Sequence, residues 1–259
     1  MRPVESAESV KQIIRRALML CGLDVRRAGP LARAADAQLR RPDRTLVDFI
    51  TDRDINVVLD VGANVGQFGT MLRSQGYRGK IVSFEPIATV YETLARHAAG
   101  DGDWETNNFA LGTNTGQATI NVSVVSEFSS ILPATRAAMQ YSDMIAVRHA
   151  ETIEVRTLDD IYPNVSKNTL LKIDTQGYER QVLEGGRSVL PMLKGVFMEL
   201  PIVHLYQGTW QFHQAIEFMA DAGFVPAQIH PVNFHSTDRV SLIEVDCLFR
   251  SRDPRVDID

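Results

Sequence analysis

An apolar run that ends in an acid and a glycine-rich turn constrains the fold of this chain more than any other feature. Residues 57–61 (VVLDV) lead directly into residues 62–66 (GANVG). An uninterrupted β-branched run is typical of a strand that is buried on both faces of a parallel sheet. Gly62 permits the tight turn that follows such a strand, and ligands of open α/β sheets bind beyond the carboxyl ends of the strands. The segment therefore predicts an α/β fold with a ligand site at this turn.

Apolar runs and helical stretches alternate along the rest of the chain, which predicts a doubly wound, Rossmann-like sheet. The predicted strands cover residues 57–61, 80–84, 105–111, 170–174 and 195–200, and the predicted helices cover 66–75, 87–98, 178–190 and 209–222. No helical stretch separates residues 225–230 from 241–249, so we expect a mostly parallel sheet with an antiparallel last strand. We also predict an inserted hairpin arm at 116–124, a loop with a short helix that covers a site at 126–150, and a short edge strand at 153–156.

Charge divides the chain of 259 residues into two predicted parts. Residues 1–44 contain ten Lys or Arg and five acids, whereas the whole chain has a net charge of −5. We interpret 1–44 as a basic helical segment and 45–252 as one α/β domain. The basic segment docks on an anionic membrane surface or forms a solvated helical face that caps the domain, and the second interpretation is favoured because charge runs usually face water.

Composition argues against several other classes of protein. We find no apolar stretch of about 18 residues that predicts a membrane-spanning helix, and we expect no secretory signal. Cys21 and Cys247 lack neighbours at metal-ligand spacing, so we predict neither a disulfide framework nor a zinc site. The acidic body lacks a stretch of alternating basic and aromatic residues, which argues against nucleic-acid binding. A cytoplasmic protein is the expectation.

The residues before Gly62 distinguish this turn from that of nicotinamide-dependent enzymes. Those enzymes use the pattern G-x-G-x-x-G, whose bare turn holds a pyrophosphate. Asp60 stands two residues before the first glycine, where a carboxylate repels phosphate and favours a ligand with cationic groups. S-adenosylmethionine carries a sulfonium and an ammonium, so we predict that it binds here, with Gly66 allowing close packing of the next helix.

Two further segments predict contacts with the adenosine part of this cofactor. Glu85 ends the second predicted strand, 25 residues after Asp60, where an acid accepts hydrogen bonds from both ribose hydroxyls. Taken alone, Glu85 would be an exposed strand-end carboxylate, and the spacing favours the cofactor interpretation. Asn108 is predicted to contact the adenine edge, with Phe109 or Ala110 against its face; an ordinary strand-to-turn transition is the alternative.

Acids and a histidine after the later strands are candidates for the chemistry itself. Asp174 follows a predicted central strand, and we expect it to orient the acceptor, bind the cofactor, hold a divalent cation or cap the next helix. His204 is the candidate general base because an imidazole titrates near neutral pH, with Glu199 and Asp174 in support; a structural histidine is the alternative.

Aromatic and imidazole side chains further along are candidates for the rim of the site. Tyr206 and Trp210 are predicted to stack on the flat face of a sugar or to pack the rim. His230 and His235 lie near the final hairpin loop, which we place at the edge of the site.

These motifs, in their order along the chain, resemble the FkbM-type methyltransferases. The matching segments are 59–68 (LDVGANVGQF), 84–86 (FEP), 108–112 (NFALG), 157–159 (TLD), 172–179 (KIDTQGYE), 182–186 (VLEGG), Glu199 onward with 205–206 (LY), and 246–250 (DCLFR). The segment at 172–179 is the specific one, and it departs from the usual pattern at Tyr178, where an alanine is common; we expect this ring to narrow the space beside Asp174. The resemblance implies the methyltransferase version of the doubly wound sheet over roughly residues 45–250.

The resemblance also implies O-methylation, often of a hydroxyl on a sugar or a polyketide-type product. We therefore predict an S-adenosylmethionine-dependent O-methyltransferase whose small-molecule acceptor is a sugar of a glycolipid or glycosylated natural product. The alternatives are N-methylation, a nicotinamide-dependent oxidoreductase and a catalytically silent cofactor-binding module. No metal site is predicted. The predicted cofactor-binding residues are Asp60, Gly62, Asn64, Gly66, Phe68, Glu85, Pro86, Asn108, Ala110 and Asp174.

Overall fold

The structure is a computed structural model that describes residues 42–253 apart from 142, 164, 165, 167 and 236–239. The predicted basic segment and Cys21 lie outside the described residues, except for the last three residues of the segment. The described helices are α1 (Pro42–Asp52), α2 (Gln67–Ser74), α3 (Ala88–Ala98), α4 (Arg136–Tyr141), α5 (Leu158–Ile161), α6 (Glu179–Glu184) and α7 (Phe212–Asp221). The described strands are β1 (Val57–Val61), β2 (Lys80–Phe84), β3 (Trp104–Asn107), β4 (Ala110–Leu111), β5 (Gly116–Ser123), β6 (Val147–Arg156), β7 (Thr169–Ile173), β8 (Gly195–Pro201), β9 (Phe224–Phe234) and β10 (Leu242–Ser251).

The large sheet has the strand order β3-β2-β1-β7-β8-β10-β9. Strands β3, β2, β1, β7 and β8 are parallel to one another, whereas β10 is antiparallel to both β8 and β9. This confirms the predicted mostly parallel α/β sheet with an antiparallel last strand. After β3, at one edge of the large sheet, the chain returns to β7, which lies beside β1. The boundary between β1 and β7 is therefore the switch point, where doubly wound folds bind ligands.

Both faces of the large sheet are covered, which explains why its central strands are continuous apolar runs. On one face, the side chains of Leu59 and Leu171 pack with Val182 of α6 and Met219 of α7. On the other face, Val58 packs in a second cluster that contains residues of α1, α2 and α3. Every residue of β7 is buried, so a charged side chain on this strand requires a partner inside the protein.

The predicted third strand, 105–111, is divided between two sheets. Trp104–Asn107 pairs with β2, but Ala110–Leu111 pairs with β6 in a second sheet of order β4-β6-β5. Between the two parts, the Asn108 amide donates hydrogen bonds to the carbonyl oxygens of Glu85 (2.9 Å) and Pro86 (3.1 Å). These bonds hold the chain in a turn between the two strands.

The inserted segment also differs from its prediction in extent. Strand β5 pairs antiparallel with β6, so the predicted arm at 116–124 is one half of a longer hairpin. The predicted edge strand at 153–156 is ten residues long and forms the middle of the three-stranded sheet. The predicted helix at 178–190 ends at Glu184, where Gly185 packs against the carbonyl oxygen of Gly112. None of the helices in the described part of the chain has the length and hydropathy needed to span a bilayer.

We predict that Gly69→Ala destabilises the protein by about 1–2 kcal/mol. Gly69 lies in α2, and a Cβ at this position would overlap the indole ring of Trp104. Alanine is more favourable than glycine in a helix by about 1 kcal/mol. A net loss of stability in the variant must therefore come from the overlap with the indole ring. Urea-induced unfolding followed by circular dichroism measures the change. Gly102→Ala is the matched control, because nothing lies near its Cβ position; equal stability of the two variants would contradict the packing argument.

Candidate active site

A cavity of about 540 Å³ lies at the carboxyl ends of β1, β2, β7 and β8. Its volume is within the range of small-molecule and cofactor sites. One part of its wall is mostly apolar and follows β2 and β4, and the other part carries carboxylates from β8, β10 and the loop after β7. The cavity therefore joins two chemically different compartments.

A buried ion pair lies beneath the cavity. Lys172 stands opposite Asp60 in the register of β7 and β1, and its Nζ is 3.0 Å from Asp60 Oδ1. Asp60 is 0% exposed, and its other oxygen accepts a hydrogen bond from Ser83 on β2. Burial lowers the pKa of Lys172, but the charges of Asp60 and Asp174 outweigh this effect and raise the pKa overall. Asp60, predicted from the sequence to attract a cationic ligand, is thus paired with a lysine inside the protein and lies outside the cavity wall.

The lysine also fixes the turn after β1. Its Nζ donates a hydrogen bond to the Gly62 carbonyl oxygen (3.0 Å), while the N–H groups of Gly62 and Ala63 both donate to Phe84 (3.0 Å each). Gly62 has a φ of 71°, and a Cβ at this position would overlap the carbonyl oxygen of Asp174. The turn therefore requires glycine, because any side chain would push β1 and the β7 loop apart.

Glu85 binds the loop on the other side of the turn. Its Oε2 accepts a hydrogen bond from the Asn64 N–H and its Oε1 accepts one from the Ile87 N–H, both at 2.9 Å. The side chain lines the cavity, yet the residue is only 4% exposed. Burial raises the pKa of Glu85 to about 7, although the two N–H groups counteract this effect. A ligand hydroxyl that donates to this carboxylate would therefore favour its ionised form.

The apolar compartment is formed by residues after β2 and by the second sheet. Pro86, Ile87 and Ala110 belong to its wall, as does Tyr178. Phe109 is buried instead, with its ring 5.6 Å from that of Phe84. The Tyr178 ring lies against Gly112, so it bounds the compartment near the end of β4.

Four carboxylates form the wall of the polar compartment: Asp174, Glu199, Glu244 and Asp246. Glu199 on β8 stands opposite Asp246 on β10 in the antiparallel register. Gln176 donates hydrogen bonds to Asp174 (2.9 Å) and Glu199 (3.3 Å). Burial, with nearby Asp174, raises the pKa of Asp246 to about 7.

Residues 126–131, named the strap here, cover the cavity as the loop prediction proposed. Ser126 accepts a hydrogen bond from the Asn64 amide (3.0 Å), and Glu127 accepts one from Gln67 (3.1 Å). These bonds tie the strap to the turn after β1. Most residues of the strap belong to the cavity wall, so they separate its contents from water.

The other end of the strap is tied to the loop after β7. Ser130 donates a hydrogen bond to the Gln176 carbonyl oxygen at 2.7 Å. The hydroxyl of Tyr206 lies 2.9 Å from the Phe128 carbonyl oxygen and 3.1 Å from the Gln176 side-chain oxygen. The strap therefore contacts both compartments.

The structure brings most of the predicted site residues together. Those in the cavity wall are Gly62, Asn64, Phe68, Glu85, Pro86, Ala110, Asp174 and Glu199. Four others lie outside the wall: Asp60, Gly66, Asn108 and His204. Gly66 begins α2 and packs near Leu94 and Trp104. His204 follows β8, and its carbonyl accepts a hydrogen bond from Thr135; this position does not support the base role.

The predicted rim residues occupy other places. Tyr206 is 4% exposed and Trp210 is 3% exposed, and Trp210 packs edge-on against Phe218, so neither offers a ring face to a sugar. His230 stands opposite Asp246 in the register of β9 and β10. His235, whose N–H donates to Ser241, is exposed.

Lys172, Glu244 and Asp246 are the site residues that sequence reasoning missed. Lys172 lies in the specific motif at 172–179, and a lysine within a buried strand was a signal that an acid must lie beside it. Glu244 and Asp246 alternate along β10, but only the register with β8 shows that Asp246 stands opposite Glu199 and Glu244 opposite Pro201, on the same face. Among the described residues, no group of three or more His, Cys, Asp or Glu is arranged to hold a metal ion.

Sequence comparisons match the chain to a methyltransferase family model and to a known methyltransferase. A family model described as the methyltransferase FkbM domain matches residues 60–226, more than half of the chain. Methyltransferase sdnD from Sordaria araneosa is 25% identical over 154 residues, which are 49% of this chain and 59% of that protein's length.

Solved structures also align with the chain, at low identity. A TehB-like SAM-dependent methyltransferase from Corynebacterium glutamicum is 12% identical, with a TM-score of 0.42 and coverage of 95% of this chain and 97% of that one. Precorrin-6y C5,15-methyltransferase from Geobacter metallireducens is 9% identical, with a TM-score of 0.43 and coverage of 81% and 88%.

We predict that Lys172→Met destabilises the protein by about 3–5 kcal/mol, because it leaves the Asp60 carboxylate buried without a counter-charge. Urea-induced unfolding measures this loss. Lys80→Met is the matched control, since Lys80 pairs with Glu105 at 2.9 Å at an exposed position and its loss costs less than about 1 kcal/mol. The double variant Asp60→Leu/Lys172→Met recovers part of the stability. Equal losses for the two single lysine variants would contradict the argument.

Proposed function

The chain belongs to the methyltransferase FkbM family, and we propose that it methylates a hydroxyl of a small molecule, with S-adenosylmethionine as the donor. The acceptor in this proposal is a sugar of a glycolipid or of a glycosylated natural product. The observation that carries it is one cavity whose wall is mostly apolar along β2 and β4 and carries four carboxylates from β8, β10 and the loop after β7. Family membership and the sheet together identify an S-adenosylmethionine-dependent methyltransferase fold, so the nicotinamide-dependent alternative is dropped.

The apolar compartment fits the nucleoside part of the donor. Pro86, Ile87 and Ala110 offer apolar surfaces to an adenine ring, and Glu85 has a carboxylate at the end of β2 for the ribose hydroxyls. Gly62, whose φ is positive, shapes the turn that lines the cavity beside this compartment. Lys172 also lines the cavity, with its ammonium bound to Asp60 and to the Gly62 carbonyl oxygen. When bound, the donor supplies an electrophilic methyl group on a sulfonium sulfur.

The polar compartment fits an acceptor with several hydroxyl groups. Its carboxylates, together with the amides of Gln176 and Asn233, accept or donate hydrogen bonds in the manner that a sugar requires. Asp174 lies at the boundary of the two compartments and is the residue that we expect to orient the acceptor oxygen. Methyl transfer is an in-line displacement, so this positioning supplies much of the rate enhancement. The strap excludes water from the same place.

An alcohol holds its proton at neutral pH, so a base must receive it as the methyl group transfers. Of the three residues predicted from sequence, Asp174 and Glu199 line the cavity and His204 does not. We therefore assign the base role to the carboxylates of the polar compartment.

The central test measures transfer of a labelled methyl group from S-adenosylmethionine to a panel of sugars, glycolipids and amino sugars. We expect Asp174→Asn to lower kcat by about 100-fold or more, with the affinity for S-adenosylhomocysteine changed only a few-fold. Asp221→Asn, on the exposed side of α7, is the matched control. NMR of the product distinguishes O- from N-methylation. Full turnover by Asp174→Asn would remove this residue from the mechanism, and no transfer to any acceptor would favour a silent module.

Cofactor affinity is expected to rise with pH through the pKa of Glu85, because only the ionised carboxylate accepts hydrogen bonds from both ribose hydroxyls. With that pKa at about 7, the ionised fraction, and with it the affinity for S-adenosylhomocysteine, increases about tenfold between pH 6 and pH 8. Isothermal titration calorimetry at a series of pH values measures this affinity. Glu85→Gln should bind more weakly and without this pH dependence; an unchanged pH dependence in the variant would exclude Glu85 as its source.

A further inference from the structure

We propose that Glu199 and Glu244 form a carboxyl pair that shares one proton, and that this pair receives the proton of the acceptor hydroxyl. The second half of this proposal rests on the proposed function. The first half concerns the protein alone and is testable without a substrate.

The geometry of the pair carries the first half. Glu199 on β8 and Glu244 on the neighbouring strand β10 both line the polar compartment and the small cavity beside it. Asp246 stands opposite Glu199 in the antiparallel register, so Glu244, two residues from Asp246, is on the same face as Glu199 and is its diagonal neighbour, within reach of a long side chain. Ionised carboxylates only accept hydrogen bonds, so a bond between two carboxyl groups requires a proton on one of them. The pair therefore holds one proton between two residues, as closely placed carboxyl groups do elsewhere.

Each carboxyl group of the pair also accepts a hydrogen bond from a side-chain amide. Asn233 donates to Glu244 Oε2 at 2.7 Å, and Gln176 donates to Glu199 Oε1 at 3.3 Å. Neither of these amide bonds requires a proton on the carboxyl group that accepts it. Glu244 is 6% exposed, so bulk water does not compete for the bond.

A second, smaller cavity lies beside the pair. It has a volume of about 10 Å³, and its wall includes Glu199, Glu244, Glu179 and Tyr206. Glu179 is 2% exposed, and its Oε2 has no hydrogen-bond partner among the described residues. A polar space of this size accommodates one water molecule. A water there would satisfy the Glu179 oxygen and give the pair a neighbour to which it can release a proton.

The surroundings of the pair favour retention of the proton. Burial raises the pKa of both carboxyl groups; nearby Asp174 raises both further, while the bond from Asn233 lowers the pKa of Glu244. The charged and titratable groups that face the pair from the adjoining elements are Asp174, Glu179, Lys172, Tyr206 and Asp246, with His230 opposite Asp246 on β9. Lys172 is already paired with Asp60, so the carboxylates outnumber the available cations.

The proton balance of the reaction follows from this arrangement. The O–CH₃ bond forms as the S–CH₃ bond breaks, and the electron pair of the broken bond stays on the sulfur. The hydroxyl proton passes to the oxygen of Glu199 that faces the acceptor, so the pair then holds two protons. One of them leaves through the water beside Glu179, which restores the singly protonated pair. Glu199 is the catalytic residue in this scheme, and Glu244 is a positioning residue that acts through it.

The first experiment titrates the carboxyl groups by carbon-13 NMR in the full chain labelled at the glutamate side-chain carboxyl carbon. We expect the Glu199 and Glu244 signals, assigned by their loss in Glu199→Gln and Glu244→Gln, to titrate together in two steps more than one pH unit apart. In Glu244→Gln the upper step disappears, because the neighbouring charge is gone. Glu217→Gln, at an exposed position of α7, keeps both steps. Independent single-step titration of the two wild-type signals would overturn the shared proton.

The second experiment measures kcat against pH at saturating donor. Glu199→Gln is expected to lower kcat by about 100-fold or more. Glu244→Gln retains more activity but loses the upper step of the wild-type profile, a change that a merely structural role would not produce. Turnover by Glu199→Gln within about threefold of wild type would refute the base role. If no acceptor is methylated at all, the proposed function fails, and the NMR titration still decides whether the pair shares a proton.

Discussion

The ion pair between Lys172 and Asp60 is the interaction on which the rest of the site depends. It joins the two central strands at full burial, and the same ammonium holds the Gly62 carbonyl oxygen. Removing two charges from water costs several kcal/mol, so such a pair contributes less to stability than apolar residues of similar volume would. What the ion pair provides is a fixed arrangement of the backbone around it. Because one lysine binds both the strand and the turn, the turn after β1 and the loop after β7 keep a fixed separation.

That fixed separation positions the two compartments relative to each other. Glu85 closes one side of the turn through the N–H groups of Asn64 and Ile87, at the edge of the apolar compartment. Asp174 leaves β7 on the other side, beside the carboxylates of β8 and β10. The polar compartment therefore needs the antiparallel last strand, since only β10 places Glu244 and Asp246 next to Glu199. A fully parallel sheet of the same strands would not bring them together.

The parts of this site that sequence reasoning predicted are those with a local cause. Gly62 follows from the turn that a buried strand needs, and Glu85 from the spacing between two consecutive strands. The parts that it missed depend on register between strands distant in the chain, as for Lys172 with Asp60, which are 112 positions apart. His204 was a candidate because imidazole titrates near neutral pH and because the residue follows a strand, and no local pattern indicated that it lies outside the cavity wall. The division of the predicted third strand between two sheets was also not predicted from the sequence, because it depends on hydrogen bonds from Asn108 to the backbone after β2.

Protonation links the compartments as closely as geometry does. Burial raises the pKa of Glu85 and Asp246 to about 7 and raises that of Glu199 as well, so the ligand-free site avoids accumulating negative charge in a region of low dielectric. A donor with a positively charged sulfur changes this balance, because a nearby cation stabilises ionised carboxylates. The sulfonium charge then both activates the methyl group and favours the ionised state of the groups that must accept a proton. Once the methyl group has transferred, that charge is gone, and the same carboxylates return to the protonation state that burial favours.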